Sequence, residues 1–213
     1  MMDHWIAFYA WLSNLIDKGG VLVYPLLALL VIATVIIVYK AISLRRKRTL
    51  NPELIQHVER LLINRKLNEA THFCQENSRP ITRILLAAIV NSDKSESDIK
   101  EILEEAGRQE VPRIRSHLST LGTIASVSPL LGLLGTVLGM ISVFATLSAD
   151  TGVEAGKLAG GISEALVTTA VGMVVAMPAL ACYNYFATKV QNLIIEMERV
   201  SLHMVALLKR GPD

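Results

Sequence analysis

Three long stretches with no more than one charge each decide what this chain can fold into. Val21 to Tyr39 is nineteen residues with no charged side chain, Ser116 to Ala149 is thirty-four, and Leu158 to Thr188 carries a single charge, Glu164. At 1.5 Å per helical residue the first run reaches about 28 Å and the second about 51 Å, against ~30 Å of hydrocarbon in a bilayer. The composition agrees: 52% of the residues are apolar, a share above the usual soluble range even with glycine left out. Little of a 213-residue chain then remains for a separate soluble core. The expected fold is an all-α membrane protein with three transmembrane helices, long cytoplasmic helical extensions and a small helical cytoplasmic domain.

Net charge is only +2, so the information lies in where the charges fall. Lys40, Arg45, Arg46, Lys47 and Arg48 follow the first run at once, which places that end in the cytoplasm and the N-terminus outside. Nineteen of the twenty-one Lys and Arg residues then lie on the inner side, and Lys18 and Lys157 on the outer. Beside a membrane span, such a basic run reads as a topology signal and not as a nucleic-acid site. The first residues do not form a secretory signal, since Asp3 and Asp17 are acidic and no basic start precedes an apolar stretch. Trp5, Phe8, Tyr9, Leu12 and Ile16 recur at helical spacing and fit either a short interfacial helix or a loose terminus with aromatic anchors.

The expected order is an interfacial segment (1–20), a first span (21–41), a cytoplasmic helical domain (42–115), a second span with a cytoplasmic extension (116–149), a periplasmic loop (150–157), a third span (158–187) and a cytoplasmic C-terminal helix (188–213). Inside the cytoplasmic domain, Asn51-Pro52-Glu53 is a helix start, with proline at the first helical position and an acid in the first turn. Leu54, Val58, Leu61 and Leu62 line one face of that helix; Leu67, Ala70, Phe73 and Cys74 belong to a second. Pro80 opens a third with Ile81, Ile84, Leu85, Ala88 and Ile89, closed by the Asn91 to Lys94 turn. Ser95 and Asp98 then start a long helix that is expected to merge with the second span, bent at Pro112 and Pro129.

No phosphate-binding loop, catalytic carboxylate pair, nucleophile with its base or metal cluster can be assembled from these residues, so neither an enzyme nor a cofactor is expected. His57, His72 and His117 lack ligand spacing, and Cys74 and Cys182 read as plain thiols. In the membrane there remain one acid and a set of hydroxyls: Ser163, Glu164, Thr168 and Thr169 on the third span, and Ser126, Ser128, Thr136 and Ser142 on the second. An acid at mid-membrane costs roughly 2.5–3.5 kcal/mol on insertion scales. Glu164 therefore either snorkels to the outer interface or caps a break at Gly160-Gly161, or it faces a water-accessible lumen. A single helix pair encloses no lumen, so the last reading requires a ring of subunits. Gly132, Gly135 and Gly139 on the second span supply the close-approach strip that such packing needs.

The stretches Gly122 to Phe144 (GTIASVSPLLGLLGTVLGMISVF) and Gly160 to Phe186 (GGISEALVTTAVGMVVAMPALACYNYF) carry a resemblance. With Pro129, the Gly132-x-x-Gly135-Thr136 run, Glu164-Ala165-Leu166, Pro178 and Tyr183-Asn184, the sequence resembles the MotA/TolQ/ExbB proton-channel family, in its three-span ExbB and TolQ branch. Gly19-Gly20 and Pro25 add a weaker likeness. The resemblance implies a multi-pass subunit of the bacterial inner membrane, assembled as a pentamer around a dimer of a single-span ExbD/TolR-type partner whose aspartate carries the ion. It implies a lumen lined by Thr136, Glu164 and Thr169. Proton flow would drive work at the outer membrane through a TonB-type or Tol-type periplasm-spanning protein, TonB-dependent uptake foremost.

A structural membrane scaffold, in which the acid only orients helices, is the alternative. A solute transporter would show repeats and broken helices in two halves, and neither is present. Some family members couple to sodium, and no residue here decides between the two ions. On an ideal helix Thr168 lies about 40° from Glu164 and Thr169 about 140°, so geometry places Thr168 on the acid's wall although the family likeness names Thr169. Tyr39-Lys40 stand where many relatives have Glu-Arg at the end of the first span.

Overall fold

The computed structural model describes residues 20–44, 50–149 and 155–209, and every regular element among them is an α-helix. In chain order these are α1 (Val23–Ser43), α2 (Pro52–Ile63), α3 (Leu67–Glu76), α4 (Pro80–Val90), α5 (Glu96–Arg115), α6 (Leu118–Ala149) and α7 (Ala155–Lys209). The expected interfacial segment before residue 20, the basic residues Arg45 to Arg48 and the loop residues 150–154 lie outside the described residues. The helices α1, α6 and α7 are each long and apolar enough to cross a membrane. Only 17%, 11% and 39% of their most apolar windows are buried within the chain, so most of that surface is left for lipid or other protein. By its contacts the chain divides into two units, one from the chain up to Val38 with Ser119–Asn184, the other from Tyr39–Leu118 with Tyr185 onward.

The second unit holds α2 to α5 and the C-terminal part of α7. Its helices begin where the local chemistry demands. Asn51 Oδ1 accepts the Glu53 N–H at 3.1 Å ahead of Pro52, and Ser95 Oγ accepts the Asp98 N–H at 3.2 Å. Pro80 opens α4 behind an extended Arg79, whose N–H is taken by Thr82 Oγ1 at 2.9 Å. The core gathers Val58 and Leu62 from α2, Ala70 and Cys74 from α3, Ile81 and Leu85 from α4, and Ile99 and Leu103 from α5. Phe186, Val190, Leu193, Met197, Met204 and Val205 add the buried stripe of α7. This face, recurring every three to four residues, keeps α7 helical beyond the membrane-length stretch.

One expectation is overturned: the helix begun at Ser95 does not merge with the second span. The chain leaves helix at Ser116 (φ −46°, ψ 144°) and His117 takes φ 60°, a left-handed conformation that non-glycine residues seldom adopt. Pro112 and Pro129 are both accommodated inside helices, α5 and α6 respectively, and the break falls between them instead. Its cause is tertiary. Lys40, 2% exposed, donates from Nζ to the Ile114 carbonyl at 2.9 Å, and the Tyr39 ring meets the His117 ring edge-on at 5.7 Å. A terminal carbonyl of α5 is thus satisfied by a side chain instead of by a further helical turn.

In the first unit α6 and α7 run antiparallel, and glycines sit at the contacts in strict order. A Cβ on Gly122 would come 3.1 Å from the Tyr183 ring, on Gly172 2.6 Å from the Ser128 carbonyl oxygen, and on Gly132 3.0 Å from the Thr169 Cα. Farther along, one on Gly135 would lie 2.5 Å from Thr168 Cγ2, on Gly139 2.7 Å from Ala165 Cβ, and on Gly161 2.5 Å from Val143 Cγ2. Backbones this close gain dispersion contacts and shed no lipid-exposed side-chain entropy.

Candidate ion pathway

The α6–α7 register decides where the polar side chains go. Thr168 is 2% exposed: its methyl group packs at Gly135, and its hydroxyl donates to the Glu164 carbonyl at 3.0 Å. Thr169 points to another part of α6 and donates across the helix pair to the Gly132 carbonyl at 2.8 Å. A Cβ at Gly132 would crowd the backbone of Thr169, so the glycine is what lets this interhelical bond form. The Thr136 hydroxyl turns back on its own helix, to the Leu133 carbonyl at 2.7 Å. The Ser128 hydroxyl does the same, to Ile124 at 2.7 Å, and is fully buried.

Gly160 and Gly161 are helical, so Glu164 caps no break there, and its side chain is exposed within the subunit. It lines a cavity of about 220 Å³ together with Gly20, Gly135, Gly139, Ser142 and Thr168. Its carboxylate lies against Gly20, in the turn that leads into α1. Of the four pathway residues expected from sequence, the structure brings Glu164 and Thr168 to one cavity; Thr136 and Thr169 are not among the residues lining it. On an ideal helix Thr168 lies about 40° from Glu164, and the two line this cavity together. Among the described residues that line the cavity, Glu164 is the only ionisable one.

Two positions escaped the sequence reading. Gly172, which meets the Ser128 carbonyl, is part of the small-residue contact, and Gly20 is the neighbour of the acid. For Gly172 the signal was a glycine one turn beyond Thr168 on the same helix; for Gly20 it was only the Gly19-Gly20 pair before the first span. Chemically, a carboxyl group can take up and release a proton, and the hydroxyl-bearing Ser142 and Thr168 on the same walls can order water beside it. Among the described residues no group of three or more His, Cys, Asp or Glu could hold a metal ion. His57 packs instead on the Phe73 ring at 4.4 Å, and both cysteines are free thiols.

Comparison with known proteins gives this geometry its setting. The model of the MotA/TolQ/ExbB proton channel family matches residues 75–199. An ExbB-like 3 biopolymer transport protein of Synechocystis sp. is 34% identical over 79% of this chain and 81% of its own length. An ExbB homolog of Methanothermobacter thermautotrophicus is 27% identical over 93% of this chain and 71% of its own. The Tol-Pal system protein TolQ of Haemophilus influenzae is 38% identical over 47% of this chain and 46% of its own. With a family match across more than half its length and full-span relatives of this kind, the chain belongs to the MotA/TolQ/ExbB proton channel family, on its ExbB/TolQ branch.

Proposed function

We propose that this chain is the stator subunit of a proton channel of the bacterial inner membrane, a homopentamer around a dimer of a single-span ExbD/TolR-type partner. The observation that carries the reading is Glu164, the single charge in Leu158 to Thr188, facing a hydroxyl-bearing cavity in a proton-channel family member. In this reading the pathway uses Glu164, Thr136, Thr169 and Thr168, and the partner's aspartate carries the ion. Each proton moving inward supplies about 2.3 kcal/mol per 100 mV. The excess of Lys and Arg after the first span supports a periplasmic N-terminus and a cytoplasmic C-terminus. A periplasm-spanning protein of TonB type would take the output to the outer membrane. The ExbB-like relative that covers 79% of the chain favours that over a Tol-type role, for which the TolQ match over 47% speaks.

The test is Glu164→Gln in the assembled complex. Loss of proton flux and of energy-dependent uptake, with normal abundance and partner binding, is the expected result. The scaffold reading draws on the Glu164–Gly20 contact inside one subunit. It predicts that the same variant loses assembly instead, and full function in an assembled variant sinks the channel reading.

A further inference from the structure

We propose that Gly20 is a positioning residue for Glu164: the turn before α1 is a seat that holds the carboxylate against the first span of its own subunit. The proposal rests on the proton-channel reading of Glu164 and adds the element that sets where its carboxyl group stands. A Cβ on Gly20 would overlap Glu164 Oε1 and come within 3.2 Å of Cδ and 3.6 Å of Cγ. The end of the side chain therefore covers the bare Cα. Gly20 also takes φ +61°, where L-residues are strained. Two demands, a left-handed backbone and no side chain, meet at this one position.

The surroundings explain why the carboxylate settles there. The Gly20 carbonyl accepts the Val23 N–H at 3.2 Å, so Gly20 lies at the threshold of α1. The first turn of a helix leaves N–H groups without helical partners and attracts a negative group. Gly135 and Gly139 of α6 and Gly161 of α7 line the same cavity. Because the atom a new Cβ would meet is the end of a flexible side chain, a substitution at Gly20 displaces the carboxylate and leaves the helices where they are. Gly20 thus sets the acid's position without touching the ion itself.

The experiment uses the full-length chain co-purified with its single-span partner and reconstituted in liposomes that enclose a pH-sensitive dye. Gly20→Ala and Gly20→Asn are compared with wild type for proton flux, for assembly, and for the infrared carboxyl band assigned to Glu164 by its absence in Glu164→Gln. Both Gly20 variants are expected to assemble, to shift the band, and to lower flux about ten-fold or more, the scale on which small misplacements of a working group act. Asn tolerates the left-handed conformation, so an equal loss with Asn assigns the effect to crowding of the carboxylate. Wild-type flux and an unshifted band in Gly20→Asn would instead assign it to backbone strain and overturn the proposal. Glu164→Asp draws the carboxylate back from Gly20, so combining it with Gly20→Ala should cost no more than the worse single change; additive losses would overturn the shared contact. If wild-type protein passes no protons, the channel reading falls, and the infrared band alone still decides whether Gly20 seats the acid.

Discussion

Lys40 Nζ donates a 2.9 Å hydrogen bond to the carbonyl oxygen of Ile114, tying the end of α1 to the last turn of α5. Ile114 lies among the terminal carbonyls that a helix cannot satisfy itself, and the chain turns out of helix two residues later, at Ser116. Lys40→Met keeps the apolar stem and strands that carbonyl, at a cost of about 1–3 kcal/mol for a buried unsatisfied acceptor. Amide exchange at Ser116, His117 and Leu118 is expected to accelerate, and thermal unfolding to begin earlier. Unchanged exchange at those three amides would show that the break stands without Lys40.

The glycines of α6 and α7 should divide into two classes by what stands opposite them. Gly172 faces the Ser128 carbonyl oxygen at 2.6 Å from a built Cβ, and backbone cannot yield as a side chain can. Gly172→Ala is therefore expected to cost about 1–3 kcal/mol through overpacking, read as lower abundance and a lower melting temperature in detergent. Gly107 on α5 and Gly160 on α7 have no atom within 4 Å of a built Cβ. There alanine is expected to stabilise by roughly 0.5–1 kcal/mol through helix propensity. Equal effects at Gly172 and Gly107 would mean that the close approach is not what the glycine serves.

The membrane-length helices and the starts of α2, α4 and α5 were legible because their signals are local: uncharged length for α1, α6 and α7, and Asn51-Pro52, Pro80 and Ser95 at the caps. Helical geometry likewise placed Thr168 on the side of Glu164. The break at Ser116-His117 was not legible, since no glycine or proline marks it and its support comes from Tyr39 and Lys40, distant in sequence. The bond of Thr169 to Gly132 and the seat of Glu164 at Gly20 depend on the register between helices. Composition and spacing along one helix carry no information about that register.

Burial pushes the Cys74 thiol up from its ordinary 9.0 to about 11. The side chain is 1% exposed in the core of α2–α5 and lies outside the membrane helices. A raised thiol pKa means that the folded state keeps a proton the unfolded chain releases. The contribution to stability is therefore whole below about pH 9 and is lost as pH rises towards 11. Two outcomes are expected: maleimide at pH 8 modifies Cys74 only when the protein is unfolded, and Cys74→Ala flattens the fall in stability between pH 9 and 11. Rapid labelling of the folded protein at Cys74 would contradict this burial.

Glu110 joins α4 to α5 through two arginines of unequal standing. Arg83 grips it in bidentate fashion, Nε to Oε1 at 2.8 Å and Nη2 to Oε2 at 2.6 Å, while Arg113 adds one bond to Oε1 at 2.8 Å. The Glu110 side chain is 5% exposed, against 34% for Arg83 and 65% for Arg113. Removing the better-buried partner leaves a carboxylate in the core, so Arg83→Ala is expected to cost about 3 kcal/mol. Arg113→Ala removes a largely solvated partner and should cost no more than about 1 kcal/mol. The paired replacement Arg83→Met with Glu110→Leu removes both charges and should recover most of the loss seen with Arg83→Ala, because no unpaired carboxylate is then left buried. Chemical denaturation of the three variants orders them; Arg113→Ala falling as far as Arg83→Ala would show that exposure does not set the strength of this cluster.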